Sequence, residues 1–167
     1  GNSNGLLAIS SSTGFYQNVQ GGPTSDFINS LFFAFDPDLE WDSYVSIGCL
    51  YADGFPFASN HLNDIGIDWS GFESGSGPLV TSNGSWFITP DDAQGSEQGG
   101  RVFLGQFSIP AGGVLDVVVS LQGKASNGNT WQETNANCTY PGAPPEPVFI
   151  NEVRVDQASS DNDEYFE

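Results

Sequence analysis

The sequence predicts an all-β chain, a β-sandwich of jelly-roll or immunoglobulin-like type with an extended C-terminal β arm. Three observations predict it. The 21 Gly and 10 Pro of the 167 residues punctuate the chain every several residues, and no segment sustains the i, i+3, i+4 apolar spacing of an amphipathic helix. Period-two alternation recurs instead, as expected of half-buried strands. Clusters of Gly, Asn, Asp and Pro separate the apolar runs at the spacing of a sandwich. An up-and-down barrel satisfies the same pattern.

Taken in order, strands are expected near 5–10, 14–20 and 27–35, the last containing the apolar run Leu31 to Phe35. Next comes a strand in which Val45, Ile47, Cys49 and Tyr51 alternate with Tyr44, Ser46, Gly48 and Leu50. Further strands are expected near 65–69, 78–82, 84–89, 101–109 and 129–134. Between the last two, Leu115, Val117, Val119 and Leu121 form one face, with Asp116, Val118, Ser120 and Gln122 opposite. These strands make up a body over 1–140. The run Pro141-Gly-Ala-Pro-Pro-Glu-Pro147 is a stiff connector, because each Pro fixes φ and pushes its predecessor out of the helical region. Beyond it, 148–167 reads as a β arm or the start of a second domain. Its apolar residues Val148, Ile150, Val153 and Val155 are the candidate contacts to a neighbouring subunit.

Charge narrows the partners. With 21 acidic residues against Arg101, Lys124 and Arg154, the formal net charge is -18. Three dispersed cations make no phosphate footprint, so nucleic acid is excluded, and an anionic membrane surface is repelled likewise. No apolar run approaches the roughly 18 residues of a membrane span. Carboxylates in such number invite Ca2+, or simply keep the surface solvated. The chain carries no Met and opens on Gly1, and the absence of a start Met is as expected if a signal peptide has been removed or if this is a piece of a longer chain. Cys49 and Cys138 fit one disulfide across the body, with two free thiols as the alternative. The sequons Asn83-Gly84-Ser85 and Asn137-Cys138-Thr139 suit glycosylation of an extracellular or cell-surface protein.

Three groups of acids are candidate calcium sites, since that ion takes about six to eight oxygen ligands. Asp36, Asp38, Glu40 and Asp42 alternate before a strand and would share one side of extended backbone. The alternative is a solvated edge that blocks strand addition. Asp91, Asp92 and Gln94 stand on the turn before Gly95, where turn chemistry is the alternative. Asp64 and Asp68, with Asn63, form the third group. Catalysis has little support. His61 is the sole histidine, an ordinary loop residue unless a nucleophile and a carboxylate converge on it, and zinc would need more His or Cys. Trp41, Trp69, Trp86 and Trp131, with Tyr16, Tyr44 and Tyr51, form either a sugar-stacking platform or core.

The tail Ile150-Asn-Glu-Val-Arg-Val-Asp-Gln-Ala-Ser-Ser-Asp-Asn-Asp-Glu-Tyr-Phe-Glu167 resembles the opening hairpin of lamin-tail-type immunoglobulin-like domains of secreted bacterial proteins. Such a domain needs roughly 100 residues to close, so the resemblance implies a truncated domain or strands that complete another subunit. The body resembles a domain of uncharacterised secreted bacterial surface proteins. That likeness is carried by Phe15-Tyr-Gln-Asn18, the run from Phe35 to Gly48, Gly84-Ser-Trp-Phe-Ile-Thr-Pro-Asp-Asp-Ala-Gln-Gly95 and Arg101-Val-Phe-Leu-Gly-Gln-Phe107. It implies location rather than activity. The function expected is a non-enzymatic extracellular building block, structural or adhesive. It would be a filament subunit joined by strand addition and stabilised by calcium, with self-association or neighbouring domains of its own chain as partners. The alternative is a carbohydrate-binding module that takes a polysaccharide.

Overall fold

The apolar alternation over 115–121 marks the strand around which the body is built. A computed structural model of the chain describes residues 6–141 and 148–149. The strand is β7 (Val114–Lys124), and Leu115, Val117 and Val119 are buried as the alternation requires. It lies between β1 (Leu7–Ser11) and β8 (Thr130–Pro141), with β4 (Leu79–Thr81) beyond β1 in an antiparallel sheet ordered β4-β1-β7-β8. A bulge between Val119 and Leu121 shifts the β7–β8 register, and Asn135 adopts φ 57° opposite it.

Two smaller antiparallel sheets complete the strands. One is ordered β2 (Tyr44–Val45), β6 (Gly105–Phe107) and β9 (Val148–Phe149), and the other pairs β3 (Asn63–Ile65) with β5 (Ser85–Phe87). Beside a second cluster of Ile28, Leu39 and Tyr44, the main core draws Leu7, Ile9, Leu79, Leu115, Val117 and Val119 from the four-stranded sheet, and Val45 and Phe107 from the three-stranded one. Phe15 and Phe72 pack between them, their rings 5.1 Å apart edge to face. Burial of side chains this large contributes about 1.5–3 kcal/mol each.

The β-rich antiparallel character follows the sequence, but several strands do not. Residues 27–35 are not a strand. Asn29 accepts the N–H of Leu31 and starts a 3-10 helix over Ser30–Ala34, and Pro37 opens a second one over Pro37–Trp41. Local capping thus wins over the β propensity of Phe. The expected strand over 44–51 stops at Val45, because Gly48 turns the chain at φ 75°. Residues 42–46 are buried on both faces rather than alternately. Residues 14–20 run as loop, and α1 (Ser70–Glu73) is one short turn of α-helix. Pro141 of the connector closes β8, while 142–147 and 150–167 lie outside the described residues, Ile150, Val153 and Val155 among them. The arm begins at β9, which pairs with β6 of the same chain (Gln106 with Phe149, Phe107 with Val148). This pairing within the chain uses one edge of β9.

Candidate functional site

The second 3-10 helix sets the first candidate site. Its last turn closes with the N–H of Asp42 on the carbonyl of Leu39, which sends the fully buried Asp42 side chain under the loop 18–22. There its two oxygens accept the N–H groups of Asn18 (2.7 Å) and Gly22 (3.1 Å). Gly21 permits this approach, since a Cβ there would overlap Asp42 Oδ2. Burial pushes the carboxyl up to about 6, against the pull of those N–H donors. Asp36 accepts from Asn18 Nδ2 at 3.0 Å, and Asp38 and Glu40 are exposed. The four acids therefore do not share one side of an extended strand. Asp38 and Glu40 stand on helical backbone at three residues per turn, where alternate residues diverge, and Asp36 and Asp42 flank the helix as its caps.

The second candidate group converges on the histidine. Asp92 caps the turn Ala93–Gly95 by accepting the N–H of Gln94 at 2.9 Å, and its other oxygen lies 2.7 Å from His61 Nδ1. The N–H of Gln94 and the His61 contact hold the Asp92 carboxyl below the usual carboxylate range. Gln94 is buried and spans three strands of chain. Its Oε1 accepts the N–H of His61 (2.7 Å), and its Nε2 donates to Ile47 O (2.7 Å) and Asn60 Oδ1 (3.1 Å). Asp91 is turned away to Lys124 Nζ at 2.9 Å. In the third group, Asp64 accepts from Trp69 Nε1 (3.3 Å) and Asp68 from the N–H of Ser70 (3.0 Å). Each predicted calcium ligand except Asp38 and Glu40 is thus engaged in a hydrogen bond within the chain, that of Asp91 being an exposed ion pair. Among the described residues no three His, Cys, Asp or Glu side chains gather to hold a metal ion.

Both cysteines are free thiols, which corrects the expected disulfide between Cys49 and Cys138. Cys49 is buried, with Sγ directed at the carbonyls of Gly54 (3.1 Å) and Ser59 (3.5 Å). Cys138 lies exposed on β8 opposite Val117. Burial, then Asp92 and Asp53, pushes the Cys49 thiol up to about 11, the wrong direction for a nucleophile serving His61. A concavity of about 240 Å³ between Gly48, Pro56, Arg101 and Phe103 is smaller than the roughly 300–1,000 Å³ of small-ligand pockets. The sequon residues Asn83, between β4 and β5, and Asn137, on β8, are both exposed.

The aromatic residues divide. Tyr44 is core, Trp86 donates to Ser46 O at 3.0 Å, and the indole of Trp131 lies over Gly123. Among the tryptophans only Trp41 is exposed, at 39%, with Tyr16 similar at 38%. Two features were missed in the sequence. Gln17 Oε1, Glu73 Oε1 and Ser108 Oγ are buried without a hydrogen-bond partner among the described residues. The segment 15–17 links them, because Gln17 Nε2 donates to Phe72 O and the Tyr16 N–H to Ser108 O. The other is the outward apolar surface of the 3-10 helices. Its signal was a short greasy run bracketed by Asn29 and Asp36-Pro37, a cap and a break too close together for a buried strand.

Comparison with protein-family models, with curated proteins and with solved structures yields no match for this chain. No helix among the described residues is long and apolar enough to cross a membrane.

Proposed function

We propose that this chain is an extracellular building block, a β-sandwich-like module that assembles with others by taking a further strand along its sheet edge. One observation carries the reading. β8 is a 12-residue strand at the edge of the four-stranded sheet, mostly exposed, and Glu133 is its only charged residue. Edge strands of soluble proteins are normally kept short, charged or covered, because their unpaired N–H and C=O groups recruit other strands. An edge this long and this bare, on a chain of charge -18, is a docking line that the rest of the surface protects from indiscriminate association. In this reading the donor is the continuation of a neighbour's arm, with Ile150, Val153 and Val155, and head-to-tail repetition generates a filament.

The test is assembly state by light scattering and negative-stain imaging, for the parent chain and for Gln132→Glu with Thr134→Glu. Concentration-dependent assembly that the two added charges abolish supports the reading, and a parent that stays monomeric at every concentration sinks it. Calcium enters only through the acidic surplus. An unchanged Tm in chelator at matched ionic strength removes it from the reading, because a ligand of the native state must stabilise that state. The carbohydrate-binding alternative draws on Tyr16 and Trp41, both exposed close to Asp42. Retention on insoluble polysaccharide that Trp41→Ala eliminates would favour it.

A further inference from the structure

The 3-10 helices over Ser30–Ala34 and Pro37–Trp41 pack on one another and turn an apolar surface to solvent. Leu31 is 78% exposed, Phe32 46%, Phe35 86% and, just before them, Phe27 55%. In a 3-10 turn, residues three apart eclipse, so Phe32 and Phe35 stand on one face, and the N–H of Phe35 bonds the carbonyl of Phe32. Phe33 points the other way, its ring 5.4 Å from that of Tyr51, and anchors the segment to the body. Local hydrogen bonding holds these side chains outward. Large apolar side chains so displayed along one short segment mark a contact surface.

The surroundings specify what makes that contact. Asp26, Asp38 and Glu40 are exposed in the same stretch of chain, and the half-buried Asp36 accepts from Asn18 Nδ2. The first 100 residues contain no Lys or Arg at all. A second copy would bring an identical acidic rim against this one. An apolar centre with an acidic rim is complemented by apolar side chains flanked by cations.

We propose that the 27–41 face docks a cationic, apolar polypeptide segment, with Leu31, Phe32 and Phe35 as anchors and the exposed Asp26, Asp38 and Glu40 as the steering charges. This surface is separate from the β8 edge, and its occupant differs from the strand that the edge receives.

The probe is a short synthetic peptide of leucine and lysine with an apolar and a basic face, titrated against the full chain by fluorescence anisotropy. Leu31→Ser with Phe35→Ser should weaken binding about tenfold or more, a loss smaller than the transfer free energy of the two side chains. Both are exposed, so circular dichroism and Tm should stay at the parent values. Asp38→Asn with Glu40→Gln should weaken binding severalfold and reduce its salt dependence. Equal affinity for polylysine and the leucine–lysine peptide would overturn the proposal, because charge alone would then account for binding. So would indifference to Leu31→Ser with Phe35→Ser. Self-association of the parent chain that this double variant abolishes would also overturn it, by assigning the surface to a second copy.

Discussion

The backbone N–H of Asn18 donates to Asp42 Oδ1 across 2.7 Å, joining a surface loop to a carboxylate with no exposure to solvent. The second oxygen takes the N–H of Gly22, so one side chain satisfies both ends of the loop 18–22. Replacing Asp42 with Ala leaves two N–H donors without acceptors in a site that water reaches poorly. At about 1–3 kcal/mol for each buried unsatisfied group, the expected loss is on the order of 2–4 kcal/mol in urea denaturation. Asp42→Asn keeps one acceptor and should fall between. Asp38→Ala, on the exposed side of the same helix, should change stability by less than about 0.5 kcal/mol. Equal effects at positions 38 and 42 would refute this assignment.

Stability should fall as pH rises from about 4 to about 7. Burial raises Asp42 from its ordinary value of 3.8 to about 6, and Glu73 from 4.5 to about 7, Glu73 with a further push from Asp42. Between the unfolded and folded values the native state holds more protons than the unfolded state. The slope of stability against pH is therefore negative there. The stabilisation is complete below the unfolded values and lost once pH passes the folded ones. For Asp42 this amounts to roughly 2–3 kcal/mol, and for the half-exposed Glu73 to less. Tm at pH 5 should exceed Tm at pH 8, and Asp42→Asn with Glu73→Gln should shrink that difference. An undiminished difference in the double variant would assign the pH dependence to general charge repulsion instead.

These groups also show where the sequence was legible. The face Leu115, Val117, Val119 could be read directly, because period-two alternation is a local consequence of strand geometry. β1, β4 and β5 fell near their expected places for the same reason. Asp42 and Gln94 were picked out as oxygen ligands, and the structure buries both and hydrogen-bonds them to distant chain segments, an arrangement that depends on which segments fold over them. Sequence spacing carries no such information. The run 31–35 was misread because hydrophobicity predicts burial only when the backbone can carry the side chains inward. Here the Asn29 cap and the break at Asp36-Pro37 fix helical turns that hold them out.

The thiols should react at different rates. Cys138 lies exposed on β8, whereas Cys49 is buried and its thiol is held protonated up to about 11. Native protein treated with iodoacetamide should label at Cys138 first, and Cys49 should label only as the chain unfolds. Reductant should leave Tm unchanged. A fall in Tm with dithiothreitol, together with two protected thiols before reduction, would restore the disulfide.

The distal half of the β7–β8 hairpin should open independently of the core. β1 pairs with β7 only over 115–118, so beyond the bulge 121–124 and 130–133 pair chiefly with each other. Isolated two-stranded ribbons are marginal in water. Leu121 packs on the core and Lys124 pairs with Asp91, and the indole of Trp131 lies across its cross-strand partner Gly123 so closely that a Cβ there would come within 2.6 Å of the ring. The indole shields the glycine backbone from water, and a cross-strand aromatic contact contributes roughly 0.2–1 kcal/mol. Trp131→Ala should therefore speed amide exchange over 121–133 by up to about fivefold, since RT is about 0.6 kcal/mol. Exchange at Leu115, Val117 and Val119 should not change, because those residues sit in the core. Gly123→Ala should produce the same local acceleration by displacing the ring. Uniform acceleration across β7 in either variant would show that the hairpin opens only with the whole sheet.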